Sequence, residues 1–141
     1  GKFGVWYGSE LLETTVHETV YHWQNGLLAD AGFQNINDVK IERRVYWVRC
    51  EAALVNLLPM AKAWPQLTAN DYGDCQFLGN KLHRQRHPGV WTSSARHVGT
   101  NAAVFTPKVL SNPRDYCYLT YHRVNGRVNV YRDPDTVWFS I

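Results

Sequence analysis

The sequence predicts an α+β fold, with a small mixed sheet and flanking helices. Two observations support this fold class. Between Leu12 and Leu27, apolar residues recur at spacings of three and four, which is the period of a helix with one buried face. Elsewhere, short stretches such as 40–49 alternate between apolar and polar residues, as strands do. A chain of 141 residues can bury a core of its own, so we expect one domain over residues 1–141.

The first part of the chain predicts a strand and then a long helix. Phe3, Val5 and Tyr7 alternate along a strand over residues 2–7. Ser9 is expected to cap the N-terminus of a helix that reaches about residue 29, and Gly32 to end that helix. The buried face of the helix is predicted to comprise five apolar residues, Leu12, Val16, Val20, Trp23 and Leu27.

The rest of the chain predicts further strands and one more helix. A strand over 40–49 is followed by a helix from Tyr72 to about residue 85, which the polar stretch 68–71 caps and a His-Pro-Gly sequence breaks. Strands are then expected to begin at Val90 and to cover 102–105. Residues 116–131 predict a hairpin, because Asn125-Gly126 favours a type I′ turn.

Composition narrows the functional classes. The net charge of +3 and the isoelectric point near 8.8 fit an anionic small ligand or an acidic partner, and they are too weak to favour nucleic acid. Cys50, Cys75 and Cys117 match neither a disulfide framework nor a metal motif, so we expect buried free thiols in a reducing cytosol. No apolar run approaches the roughly 18 residues that span a bilayer, and no signal peptide is recognisable. We therefore expect a cytoplasmic protein without membrane contact, and the abrupt opening at Gly1 indicates a fragment or a processed product.

His17 and His22 lie within one helix but have the wrong spacing for a zinc site. Metal-binding histidines on one helix face are four residues apart. These two are five apart, which rotates the second by about 140° from the first. We therefore predict no metal site, with His17 on a solvated face and His22 packed against a neighbour.

Glu18 has two interpretations. A glutamate in the middle of a helix is ordinarily an exposed, solvated residue. The functional alternative is a carboxylate aimed into a cleft, where it stabilises a cationic sugar transition state or holds a ribose hydroxyl.

A second candidate site lies in residues 89–99, where an apolar strand ends in small polar residues. Ser94 lacks the Gly-x-Ser-x-Gly sequence of a hydrolase nucleophile, so it is either a turn hydroxyl bonded to local backbone or part of a binding site. Arg96 is either a structural residue, solvated or in a salt bridge, or its guanidinium binds a phosphate through two hydrogen bonds. The basic cluster 83–87 is either a helix end that favours cations or a site for an anion or partner.

Two stretches together resemble the RES-domain family. In residues 1–22, a glycine-flanked strand ends at Tyr7 and a helix follows that carries Glu18 and then His22. In residues 89–97, a strand ends in a Ser-x-Arg element. Residues 101–107 and the closing hairpin continue the likeness, which spans nearly the whole chain.

The resemblance assigns family residues to this sequence. Glu18 matches the glutamate of the family, Ser94 its serine, and Tyr7 an aromatic residue of its pocket. Thr92 and Ser93 depart from the Tyr-Pro that often precedes the serine, so Ser93 is the alternative if the register shifts by one. The arginine of the family lies upstream of the first strand. No residue here is assigned to it, and the domain is expected to be incomplete at its N-terminus.

The resemblance also implies a function. RES proteins resemble ADP-ribosyltransferase toxins in fold and cleave the nicotinamide–ribose bond of NAD⁺ by water or phosphate. We thus expect a toxin-type enzyme with NAD⁺ as substrate and no prosthetic group. An Xre-like antitoxin is expected to neutralise it, and the toxin–antitoxin complex is a possible setting for an oligomer. Glu18 would offset the charge of the ribosyl cation, and Tyr7 would stack on a ring. Ser94 would orient the nicotinamide ribose or amide, and Arg96 would meet the pyrophosphate.

Three other functions remain open. The same pocket would serve an ADP-ribosyltransferase that acts on a protein or another acceptor. A related module without the upstream arginine would bind NAD⁺ or a partner without turnover. The third, a basic nucleic-acid binder, is disfavoured by the modest charge and by the absence of an RNP-like aromatic pattern, so we expect no direct nucleic-acid binding.

Overall fold

The structure, a computed structural model, describes residues 3–70 and 72–141. Its helices and strands are β1 Trp6–Ser9, α1 Leu12–His22, a π-helical turn Trp23–Leu27, α2 Leu28–Asp30, β2 Val39–Cys50, β3 Val55–Asn56, α3 Gly73–Arg84, β4 Gly89–Ser93, β5 Thr100–Val104, β6 Leu110–Val124, β7 Arg127–Asp133 and β8 Thr136–Ser140. Short 3₁₀ turns cover Leu58–Met60, Pro65–Thr68 and Pro107–Val109. This combination of helices and strands confirms the predicted α+β class.

The chain divides into two compact units. The first unit comprises Gly1–Glu18 and Cys50–Ser111, and the second comprises Thr19–Arg49 and Asn112–Ile141. The division falls within α1, between Glu18 and Thr19. The single domain expected over residues 1–141 stays a prediction.

The first unit contains a mixed sheet. Among the described residues the strands have the order β1-β5-β4-β3, with β3 and β4 parallel and the other pairs antiparallel. The strand predicted over 2–7 lies later in the chain, at Trp6–Ser9. Lys2 lies outside the described residues. Pairing with β5 begins only where Trp6 lies opposite Val104. Phe3 instead stacks on His83, with ring centroids 3.8 Å apart.

Apolar side chains from α3, the sheet and the adjoining segments form the core of the first unit. Its buried members are Leu57, Leu82, Val90, Ala103 and Phe105, with Phe3, Val5, Val55, Leu67 and Leu78 packed around them. Each of the central strands β4 and β5 thus has side chains in the core. This core supports the ends of β1, β4 and β5, where the polar residues of interest lie.

The second unit contains the other sheet, with the order β2-β6-β7-β8. The predicted turn at Asn125-Gly126 is confirmed, since both residues have positive φ, at 50° and 79°, as a type I′ turn requires. Strand β8, which the sequence analysis did not predict, pairs antiparallel with β7. Alternate side chains of β6 and β7 are at most 1% exposed, namely Leu119, Tyr121, Val128 and Val130.

The predicted long helix continues to Asp30, but its buried face shifts near the end. Val16, Val20 and Trp23 are buried as predicted, whereas Leu27 is 63% exposed and Leu28 is 5% exposed. The cause is the π-helical turn, in which the Leu28 N–H donates to the carbonyl oxygen of Trp23, five residues earlier. This turn contains one residue more than an α-helical turn. Gly32, with a φ of 73°, follows the helix end as predicted.

Within the described residues, no helix combines the length and the apolar character needed to cross a membrane.

The two predictions about the cysteines have different outcomes. All three cysteines are free thiols, as predicted. The prediction that they are buried is wrong, because Cys50 is exposed and Cys75 and Cys117 are half-buried.

Candidate functional site

Ser9 lies at the end of β1 and begins the hydrogen-bond network of the site. Its hydroxyl donates to Asn101 Oδ1 at 2.7 Å, and the two residues are directly opposite in the pairing of β1 with β5. The prediction that Ser9 caps the helix is therefore wrong. Because Ser9 belongs to the strand, α1 begins only at Leu12.

Glu18 accepts two hydrogen bonds within the first unit. Its Oε1 atom accepts from Ser94 Oγ at 2.6 Å and from Asn101 Nδ2 at 2.7 Å. The residue is half-buried, as are Ser94 and Asn101. The exposed interpretation of Glu18 is therefore wrong, and the carboxylate is held among polar groups at the ends of β4 and β5.

Ser94 begins the loop that joins β4 to β5. Its backbone N–H donates to the carbonyl oxygen of Gly99 at 2.9 Å and closes the loop. Its Oγ accepts from the N–H groups of Arg96 and His97, at 3.0 and 3.1 Å. A hydroxyl has one hydrogen and two acceptor positions. With both acceptor positions occupied, the hydrogen is donated to Glu18, so Ser94 is a turn hydroxyl and a site hydroxyl at once. Ser93 is the last residue of β4 and lies opposite Thr100.

The first turns of α1 pack against this loop. Thr14, which is fully buried, bonds through Oγ1 to His97 Nδ1 at 2.9 Å. A Cβ atom on Gly99 would lie 2.1 Å from the same Oγ1 atom. Glycine is therefore required at position 99 for the loop to approach the helix this closely.

His17 is half-buried and stacks on His97, with ring centroids 4.5 Å apart and planes at 15°. Burial lowers the pKa of His17, the neighbouring His97 lowers it further, and Glu18 opposes this shift. The prediction of a solvated His17 is wrong, because the loop covers its ring. His22 is exposed, and its ring is nearly perpendicular to that of Tyr21, with centroids 5.6 Å apart. Among the described residues, no group of three or more His, Cys, Asp and Glu side chains is arranged to hold a metal ion.

Arg96 and Tyr7 both lie near Tyr72. The guanidinium of Arg96 donates to Asn70 Oδ1 at 2.5 Å and to the Tyr72 hydroxyl at 3.5 Å. Burial raises the pKa of Tyr7, and the neighbouring Cys75 and Tyr72 raise it further. Because its pKa is raised, the phenol of Tyr7 stays protonated at neutral pH. The residue as a whole is 71% exposed. The structure thus joins Glu18 to Ser94 directly and places Arg96 two residues beyond.

The basic cluster at residues 83–87 separates into two environments. His83 stacks on Phe3 and has a structural role. Lys81, Arg84 and Gln85 line a shallow surface groove together with Phe77, which is 73% exposed. The structural interpretation therefore holds for His83, and the anion or partner interpretation stays open for Arg84.

Asn101 is the main residue that sequence reasoning missed as part of the site. Its side chain bonds to both Ser9 and Glu18, which are 92 and 83 residues away along the chain. The available signal was a polar residue at the start of an otherwise apolar strand, and many strands begin that way. Thr14 and His97 were also missed, because only the packing of the loop on α1 brings them together.

Comparison with known proteins identifies the family of this chain. The model of the RES domain family matches residues 1–124 of the 141-residue chain. The matched region includes every residue of the network around Glu18. A search of curated proteins gives no match. Since the family model covers well over half of the sequence, the chain belongs to the RES domain family.

Proposed function

We propose that this chain cleaves the bond between nicotinamide and ribose in NAD⁺, with the Glu18 carboxylate stabilising the positive charge that develops on the ribose. Family membership supports a toxin-like, NAD-related function at a coarse level. The observation that carries the finer proposal is the environment of Glu18. It is a half-buried carboxylate that accepts from two neutral groups, Ser94 and Asn101.

The proposed reaction suits a carboxylate of this kind. The bond between the ribose carbon and the nicotinamide nitrogen breaks, and its electron pair neutralises the pyridinium ring. The ribose becomes oxocarbenium-like, and water or phosphate then forms the new carbon–oxygen bond and releases a proton. A fixed negative charge near the ribose stabilises this transition state more than the substrate, which is the requirement for catalysis.

The other matched residues have supporting roles in this proposal. Tyr7, with its exposed ring, would stack on a ring of the substrate. Arg96, whose guanidinium is oriented by Asn70 and Tyr72, would meet the pyrophosphate. The hydroxyl of Ser94 donates to Glu18, which supports a role in holding the carboxylate. A contact of Ser94 with the nicotinamide ribose or amide stays a prediction.

Inhibition by an Xre-like antitoxin belongs to the same proposal. Its support is family membership, which suggests such a partner in general. Transfer of ADP-ribose to a macromolecule is the alternative use of the same carboxylate, because only the acceptor differs. A non-catalytic binding module is the other alternative.

The test is to incubate the chain with NAD⁺ labelled in its adenylate part, in buffer with and without phosphate and in a cell extract. Nicotinamide release with the label in small products supports cleavage, and a phosphate-dependent product identifies the acceptor. Label on a macromolecule in the extract favours the transferase. Binding of NAD⁺ without nicotinamide release favours the binding module, and neither binding nor release contradicts the proposal.

A further inference from the structure

The two carboxylate oxygens of Glu18 have different environments. Among the described residues, both hydrogen bonds to Glu18 end on Oε1, and none ends on Oε2. The two donors lie 2.6 and 2.7 Å from this atom. One oxygen is therefore held by two donors, and the other forms no hydrogen bond with the described residues.

The orientation of the Asn101 amide follows from its two partners. An ionised carboxylate only accepts hydrogen bonds, so the NH₂ group of Asn101 must face Glu18. Oδ1 then faces Ser9, whose hydroxyl donates to it at 2.7 Å. The reverse orientation would place two acceptor oxygens against each other at 2.7 Å. Donation along Ser9, Asn101 and Glu18 thus has a single direction.

The backbone around Asn101 gives this amide a firm support. Asn101 lies in β5, opposite Ser9 on one side and Thr92 on the other, so strands pair with it on both edges. The next two residues of the strand, Ala102 and Ala103, are buried. A group on a strand that is paired on both sides is held more tightly than a group on a loop.

We infer that Asn101 is a positioning residue for Glu18. Together with Ser94 it fixes Oε1 and leaves Oε2 turned toward the ribose of NAD⁺. This inference rests on the proposed function for the identity of the substrate. Because Asn101 acts through Glu18, its loss affects the turnover number kcat and leaves the substrate KM close to that of the wild type.

The chain offers a matched control for this residue. Asn129 in β7 lies opposite Ser140 in β8, and the Ser140 hydroxyl donates to Asn129 Oδ1 at 2.7 Å, as Ser9 does to Asn101. Both asparagines are half-buried. Within the described part of the chain, Asn129 donates to no carboxylate. A purely structural role of the Ser–Asn pair would therefore appear equally at both positions.

The experiment compares Asn101→Ala with Asn129→Ala and Asn101→Asp with Asn129→Asp. The Asp variants keep the acceptor for serine and remove the donor, whereas the Ala variants remove the donor without adding charge. We expect kcat of both Asn101 variants to fall roughly 10- to 100-fold with little change in KM, because a misplaced catalytic group costs rate rather than binding. Both Asn129 variants keep wild-type kcat. An unchanged kcat in Asn101→Ala, or an equal loss in Asn129→Ala, would overturn the inference.

Crystal structures of Asn101→Ala and Asn129→Ala provide a second readout that does not depend on turnover. Positioning predicts that the Glu18 carboxylate rotates or loses its single orientation in Asn101→Ala and stays in place in Asn129→Ala. If the wild-type chain does not cleave NAD⁺, the proposed function is wrong, and the position of the carboxylate still decides the role of Asn101. A carboxylate that is unmoved in Asn101→Ala overturns that role.

Discussion

The two sheets each contain a serine and an asparagine that face each other across antiparallel strands. Ser9 donates to Asn101 in the first unit, and Ser140 donates to Asn129 in the second, both at 2.7 Å. The pairs differ in what lies beyond the amide. The Asn101 amide donates in turn to the half-buried carboxylate of Glu18, whereas in the described part of the chain Asn129 donates to no carboxylate. The two Ser–Asn pairs therefore differ in that only the pair in the first unit bonds to a carboxylate.

The two units also differ in where their charged side chains lie. In the second unit, the ion pair Arg44–Asp115 lies at the surface, with side chains 46% and 56% exposed. Exposed pairs of this kind contribute little to stability, because solvent screens them. In the first unit, Glu18 is half-buried and bonded to neutral groups. Placement of the charge, more than the number of charges, distinguishes the unit that holds the candidate site.

The largest expected effect comes from Glu18→Gln, which removes the negative charge and keeps the shape. We expect nicotinamide release to fall by about 10²- to 10³-fold, the cost of removing one group that stabilises a transition-state charge. Glu10→Gln is the matched control, because Glu10 is exposed and accepts from Thr100 Oγ1 at 2.8 Å. Near-normal turnover in Glu18→Gln, measured by separation of nicotinamide from NAD⁺, would remove Glu18 from the mechanism.

The next effect concerns the loop that carries Ser94. Gly99→Ala places a Cβ atom 2.1 Å from Thr14 Oγ1, and Thr14 is fully buried, so we expect a loss of about 1–3 kcal/mol in the free energy of unfolding. Gly79→Ala is the control, because nothing lies within 4 Å of its Cβ position in α3. That change should stabilise the protein by about 0.5–1 kcal/mol. Urea unfolding measures both, and equal effects would contradict the packing of the loop on α1.

A smaller effect is expected for Tyr121→Phe in the second unit. The buried hydroxyl of Tyr121 bonds to Thr19 Oγ1 at 2.7 Å. Its removal should lower the free energy of unfolding by about 1 kcal/mol, the net contribution of one hydrogen bond. NAD⁺ turnover should not change, since the bond belongs to the second unit. A loss of turnover at full stability would mean that the second unit contributes to the reaction.

The smallest effect is a pH dependence at His17. Burial and then His97 lower its pKa in the folded state, with Glu18 opposing them, so the folded state favours the neutral ring. The contribution of His17 to stability is fully present above the unfolded-state pKa of about 6.5 and is lost as the pH falls through the lowered folded-state value. Thermal unfolding between pH 7.5 and pH 5 should show a steeper loss for the wild type than for His17→Gln. His22→Gln, at an exposed position, should retain the wild-type slope, and parallel curves for His17→Gln would refute the prediction.

Much of the fold was predictable because periodicity reports burial directly. The α+β class, the strand over 40–49 and the Asn125-Gly126 turn are confirmed. An α-helical period could not predict that Leu28 is buried in place of Leu27, because the π-helical turn adds a residue. The division into two sheets was also missed. Alternation along a strand shows which face is buried and does not identify the neighbouring strand.

The site was predictable only in part, and the reason is distance along the chain. The resemblance to RES proteins identified Glu18 and Ser94. In the structure, Ser94 Oγ donates to Glu18 Oε1 at 2.6 Å. Ser9 was assigned to a helix cap, since a serine before an amphipathic stretch usually has that role. Its bond to Asn101 depends on the register of β1 and β5, which no local pattern specifies. Positioning residues are therefore harder to predict than the carboxylate that they support.

The most direct test of the central claim is a crystal structure of the Glu18→Gln variant with intact NAD⁺ bound. The account predicts that a hydroxyl of the nicotinamide ribose lies within about 3 Å of the side chain at position 18, the distance of a hydrogen bond. Residues 94 and 101 should retain their contacts with that side chain. NAD⁺ bound elsewhere, with its nicotinamide ribose out of reach of position 18, would contradict the account.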